Sequence, residues 1–182
     1  MRHHLNEEHP LRTFFGKVLH HSLVDQLGLN DQEVERYLVE MLVEFLHNDR
    51  IYLIRDAEGR RVETVAEMVV EGDVRLNASS FDREREVHRH IGDFLLFWSG
   101  VFPEFLKRMK RPGSLDALVD VVRQGKTSYH IVSTFEHDPY GQQAPVFRKL
   151  SDRFEAYQYG LTLVRGSFEG LAAKRWREGF DA

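Results

Sequence analysis

The chain of 182 residues contains no cysteine. That single absence excludes disulfide frameworks, thiolate zinc sites, iron–sulfur clusters and cysteine nucleophiles together. Long apolar runs are missing as well. No segment approaches the ~20 uninterrupted apolar residues that a bilayer span requires, so no membrane association is expected. The opening MRHHLNEEHPLR lacks the apolar core of a secretory signal, which sets the expectation of a cytoplasmic protein. Excess positive charge is absent too: 25 Lys and Arg stand against 29 Asp and Glu, a formal net charge of -4. Broad nucleic-acid binding needs a basic face that displaces counterions from phosphates, and no nucleic-acid partner is expected. The local exceptions are KRMKR at 107–111 and the group Lys174, Arg175 and Arg177. Both fall at expected helix C-termini, where cations meet the macrodipole favourably.

Motifs with a known mechanical role are also missing. There is no G-x-x-x-x-G-K-[ST] phosphate loop, no G-x-G-x-x-G, no H-E-x-x-H and no G-x-S-x-G. Standard nucleotide, zinc-protease and α/β-hydrolase chemistry is therefore not expected. A site assembled from scattered residues stays open.

What is present is ordinary for a folded chain: 42% hydrophobic and 30% charged residues. A chain of this length buries roughly 70% of its unfolded surface, and no repeat or composition shift divides it. The expectation is one helical domain over residues 1–182, with 1–9 as a flexible N-terminal segment. Its fold class is all-α, a bundle of about six to seven helices with a short extended segment near residues 51–55.

The densest apolar stretch is 79–102. At a period of 3.6 residues Val87, Ile91, Phe94, Leu95, Trp98 and Phe102 share one face, and extending that stripe backwards reaches His88 and Glu84. Ser79 is the expected N-cap, and Ser99-Gly100 followed by Pro103 is the expected kink or break. Upstream, Pro10 opens a helix that buries Phe14, Phe15, Val18 and Leu19 and ends at GLND. Asn30 or Asp31 then caps a helix to about Asn48. An Asp/Gly turn separates the extended segment from a short helix over 62–70.

Downstream, Ser114 caps a helix in which Leu118, Val121, Gly125, Tyr129, Ser133 and Glu136 share one face. Gly125 costs roughly 1 kcal/mol relative to alanine inside a helix, which points to close approach by a neighbouring helix or a ligand. Pro145 begins a long helix with the stripe Val146, Phe147, Leu150, Phe154, Tyr157, Leu161 and Val164. A second apolar set, Ala156, Tyr159, Gly160 and Leu163, lies behind it. A helix apolar on two sides is either central to its bundle or covered by another chain. Trp176 is the expected anchor of the tail.

Ten histidines are the compositional oddity. Glu44 and His47 have the E-x-x-H spacing of di-iron bundles, but they fall opposite the Leu38, Met41 and Phe45 stripe and lack a second copy, so di-iron chemistry is not expected. Two functional readings remain. In the first, the chain is a non-catalytic helical scaffold or regulatory protein. It acts by protein–protein contact or self-association, with the 146–164 helix as the surface for a second copy or another protein. In the second, the bundle gathers Glu84 and His88 with His21, Asp25 and Glu136 around a divalent metal, and an oxidoreductase or hydrolase becomes conceivable. Imidazole with carboxylate suits Zn, Mn or non-haem Fe. Tyr129 and Ser133 are further pocket candidates. For each of these the plainer alternative is a surface ion pair or a satisfied core residue.

Overall fold

Among the described residues, which are 10–45, 51 and 53–168 of a computed structural model, eight α-helices form and no strand does. The all-α expectation holds. Expectations for 1–9, His47 and Trp176 lie outside the described residues.

Helix α1 (Pro10–His20) starts on its proline and runs directly into a π-helical turn, His21–Gln26, which Gly28 ends at φ 67. Helix α2 (Gln32–Phe45) is capped by Asp31, whose Oδ1 accepts from Val34 N at 3.2 Å. Of the extended segment expected near 51–55, Ile51 is instead helical, and the far end pairs with residues beyond the turn through one antiparallel bridge, Arg55 to Arg61, supported by Val62 N donating to Ile54 O at 3.0 Å. Helix α3 (Val65–Gly72) follows, started by a capping box in which Thr64 and Glu67 satisfy each other's backbone donors.

The 79–102 stretch forms the long central helix α4 (Phe81–Val101). Its N-cap is Ser80 rather than Ser79, with Ser80 Oγ accepting from Arg83 N at 3.1 Å. The helix breaks at Phe102, and Pro103 opens α5 (Pro103–Met109), because proline suits a first turn and not a helix interior. From Ile91 to Val101 every residue of α4 is buried. Helices α2, α3 and α5 pack against it, as do α6 (Val121–Ser133) and α8 (Phe154–Phe168).

Two expected helices are interrupted, each for a tertiary reason. The helix expected from Ser114 begins instead as a 3-10 turn, Leu115–Leu118, and α6 starts only after its own N-cap Asp120. Asp116 in that turn is buried and reaches across to cap α3, accepting from Val65 N at 3.2 Å and Ala66 N at 3.0 Å. The helix expected from Pro145 is split at Arg153 into α7 (Ala144–Asp152) and α8. A straight rod cannot lie along α6 with its first half and along α4 with its second, and the two halves do just that. The break also delivers the Phe154 ring to Gly125, where a β-carbon would overlap it. Close approach at Gly125 is thus made by a neighbouring helix.

Candidate functional site

Inside the apolar half of α4 stands one carboxylate. Asp93 is 5% exposed and is flanked by Ile91, Gly92 and Phe94. Taking such a group out of water is costly unless it is hydrogen-bonded. Two phenols meet it from two other helices. Tyr37 of α2 donates to Asp93, its oxygen lying 2.6 Å from Oδ1 and 2.8 Å from Oδ2, and Tyr129 of α6 donates to Oδ1 at 2.8 Å. Burial first, and then the negative charge of Asp93, raise both tyrosine pKa values well above the usual tyrosine value. Their protons therefore stay in place near neutral pH, on hydrogen bonds to the carboxylate.

Local packing explains how the second phenol reaches Asp93. The Tyr129 ring lies over Gly92, where a β-carbon would come within 2.6 Å of it, so the absence of a side chain at 92 admits the ring. Phe147 of α7 holds both tyrosines, edge-on to Tyr37 at 5.0 Å between ring centroids and tilted against Tyr129 at 5.9 Å.

One side of this cluster opens into a cleft of about 310 Å³ between α2, α4 and the loop that enters α7. Asp93 and Tyr37 line it, with Met41 and Val146 as apolar wall and Gln142 and Gln143 from the loop. Its charged lining consists of four carboxylates, Glu33, Glu40, Glu44 and Asp93, against the guanidinium groups of Arg36 and Arg89. Glu40 is tied to Arg12 of α1 at 2.5 Å. At the loop end, Arg85 lies 3.9 Å over the Tyr140 ring and donates to Gln143 Oε1 at 3.0 Å, fixing the loop against α4.

The residues singled out from sequence are distributed differently. His88 is on α4 and buried at 5% exposure, its Nδ1 hydrogen-bonded to Ser128 Oγ at 3.2 Å and its ring against Gly72. Burial lowers its pKa to about 4, opposed in part by Asp73. Glu84, one turn earlier, is half-buried, and its pKa is raised by burial and by Asp73. These two neighbours share the influence of Asp73; the remaining metal candidates are held elsewhere. His21 pairs with Asp25 at 3.0 Å on the exposed π-helical turn, and Glu136 pairs with Arg148 at 3.0 Å on the surface. Among the described residues no group of three or more His, Asp or Glu side chains is placed to hold one ion. Ser133 is buried and donates to its own helix at His130 O, 2.7 Å away. Tyr129 is therefore the sequence candidate that belongs to the cluster.

Asp93 and Tyr37 escaped the sequence reading. The signal for Asp93 was a lone acid in IGDFLLFW, a run otherwise apolar. A second buried histidine was also passed over. His90 donates from Nε2 to Ile51 O at 3.0 Å and stacks on Phe45, with its pKa lowered to about 4 by burial.

The expected partner surface on 146–164 is now in part covered from within the chain. Gly160 lies against Leu23 of the π-helical turn, and its carbonyl accepts from Ser22 Oγ at 2.6 Å. Tyr159 stays 56% exposed. No helix among the described residues is long and apolar enough to cross a membrane. Comparison with protein-family models, with curated proteins and with solved structures returns no match for this chain.

Proposed function

We propose that the chain is a non-catalytic helical regulatory protein that works by binding, and that the cleft above Asp93 is where a small ligand is received. The observation that carries this reading is the commitment of both phenol protons to one buried carboxylate at the cleft floor. Groups whose protons are locked in place recognise a ligand well and exchange protons with it poorly, since a general acid or base works best with a pKa near the working pH. The cleft volume of about 310 Å³ falls at the small end of the range for ligand pockets. It is also built from three separate elements, so an occupant would bridge α2, α4 and the loop before α7 and alter how firmly they are held together.

A thermal-shift screen with chemically diverse small molecules tests the proposal. Compounds that raise Tm are expected to slow hydrogen exchange in residues 37–44 and 140–146. Stabilising compounds that protect only other parts of the chain would remove the cleft from consideration.

Self-association is a second reading, supported by Tyr159 on α8, a large aromatic side chain that is 56% exposed. Light scattering across a dilution series tests it, with Tyr159→Ser expected to shift the distribution toward monomer. A wild-type protein that stays monomeric at high concentration counts against it.

A further inference from the structure

A helix running from Ser114 would bury Leu118. In the 3-10 turn that replaces it, Leu118 is 97% exposed and Leu115 64%. Side chains three apart eclipse in a 3-10 turn, so the two leucines stand side by side on one edge. Asp116, between them, turns the other way and ties the turn to α3 through Val65 N and Ala66 N. A buried anchor thus fixes two apolar side chains outward into water, which is a contact feature rather than the scatter of single residues.

The same knuckle carries the cations of KRMKR. Gly113, at φ 87, turns the chain from α5 into the 3-10 turn. Ser114 staples the two together, its N donating to Arg111 O at 3.1 Å and its Oγ to Met109 O at 2.5 Å. Lys107 and Arg108 lie in the last turn of α5, where the macrodipole favours them, but Lys110 and Arg111 come after it. None of the four side chains is in an ion pair with a described residue; Arg108 lies 5.9 Å over the Phe105 ring. The acids of 103–120 are already engaged. Glu104, within the field of Lys107, pairs with Arg165 at 2.7 Å, Asp116 caps α3, and Asp120 caps α6.

From this arrangement we infer that residues 107–118 form an attachment surface for an anionic lipid bilayer, with Leu115 and Leu118 entering the interface and Lys107, Arg108, Lys110 and Arg111 meeting lipid phosphates. The lack of a spanning helix among the described residues bears on crossing a bilayer and not on attachment to its surface. The leucines form a knob and not a groove. A protein partner would need a matching socket, whereas lipid headgroups part around a protruding side chain and place negative charge beside it. This surface is separate from the cleft, and the two readings stand or fall independently.

The test is cosedimentation of the full chain with phosphatidylcholine vesicles containing about a third phosphatidylserine, set beside vesicles of phosphatidylcholine alone. The chain is expected to partition onto the anionic vesicles, less so as salt is added, and to leave the neutral ones nearly free. Hydrogen exchange in residues 105–119 is expected to slow on the anionic vesicles. Leu118→Ser should weaken partition about tenfold, and Lys110→Gln with Arg111→Gln together at least tenfold. All three positions lie outside the core, so Tm is expected to stay at the wild-type value and to separate lost binding from lost folding. A chain that ignores anionic vesicles overturns the inference, and so does binding that these variants leave unchanged. It is equally overturned if light scattering finds an oligomer that Leu118→Ser dissolves while vesicles are ignored, which would give the knob to a second copy.

Discussion

Successive turns of α4 carry two kinds of buried polar group, and they are satisfied in opposite ways. Among the described residues His88 and His90 each hydrogen-bond one partner, Ser128 Oγ and Ile51 O, and each is held near the neutral form with a pKa of about 4. Asp93, one turn on, collects two donors from two different helices and borders a cleft. The histidines answer burial by giving up charge. The aspartate answers it by recruiting phenols. A group that gives up charge is a packing element with a polar edge, whereas a carboxylate with dedicated donors needs a built environment, and that environment includes an opening.

Breaking the aspartate side is expected to have the larger effect. Asp93→Leu strands two phenol hydroxyls in or beside the core, and unfolding free energy should fall by about 4 kcal/mol. Urea denaturation measures it. A fall below about 1 kcal/mol would place Asp93 in a solvated rim and dissolve the contrast.

Acid tests the histidine side. Both pKa values lie lower in the folded chain than the ordinary value of 6.5. The unfolded chain therefore binds the extra protons, so the contribution is complete above about pH 6.5 and is lost as pH falls toward about 4. Between about pH 7 and about pH 5 each histidine is expected to cost about 2 kcal/mol of stability. His90→Asn should flatten that dependence by roughly half, seen as a smaller change in denaturation midpoint between the two conditions. An unchanged pH dependence would show that His90 is not the group being titrated.

The smallest expected effect is that of Ser128→Ala. It removes the one partner of His88 Nδ1 and should cost about 1 kcal/mol at neutral pH, again by denaturation. A cost as large as that of Asp93→Leu would erase the distinction between the buried histidines and the buried aspartate.

Much of α4 could be read directly from its spacing, because aromatic and aliphatic residues at a 3.6-residue period have only one way to leave water together. The Pro103 break and the Asp31 cap were equally local. Asp93 was harder to read. Glu86, Arg89 and Asp93 continue one polar row along the helix, and such a row ordinarily faces solvent. Here α2 and the loop before α7 roof over part of the row, and the last member becomes a buried floor. Tyr129 was visible as a polar member of an apolar stripe, but its acceptor is 36 residues away, and Tyr37 is 56 residues from the same carboxylate. Nothing in local spacing links such partners. The split at Arg153 was hidden for a similar reason: residues 150–156 hold neither proline nor glycine.

Sequence alone determined that this chain would be helical and without cysteine chemistry, and that residues 79–102 would form its buried rod, since composition and periodicity act over one or two turns. Tertiary structure decided which buried polar groups found each other. The partners of Asp93 come from separate helices, and only the packing of Tyr129 over Gly92 and Phe147 against both phenols brings three distant residues to one point.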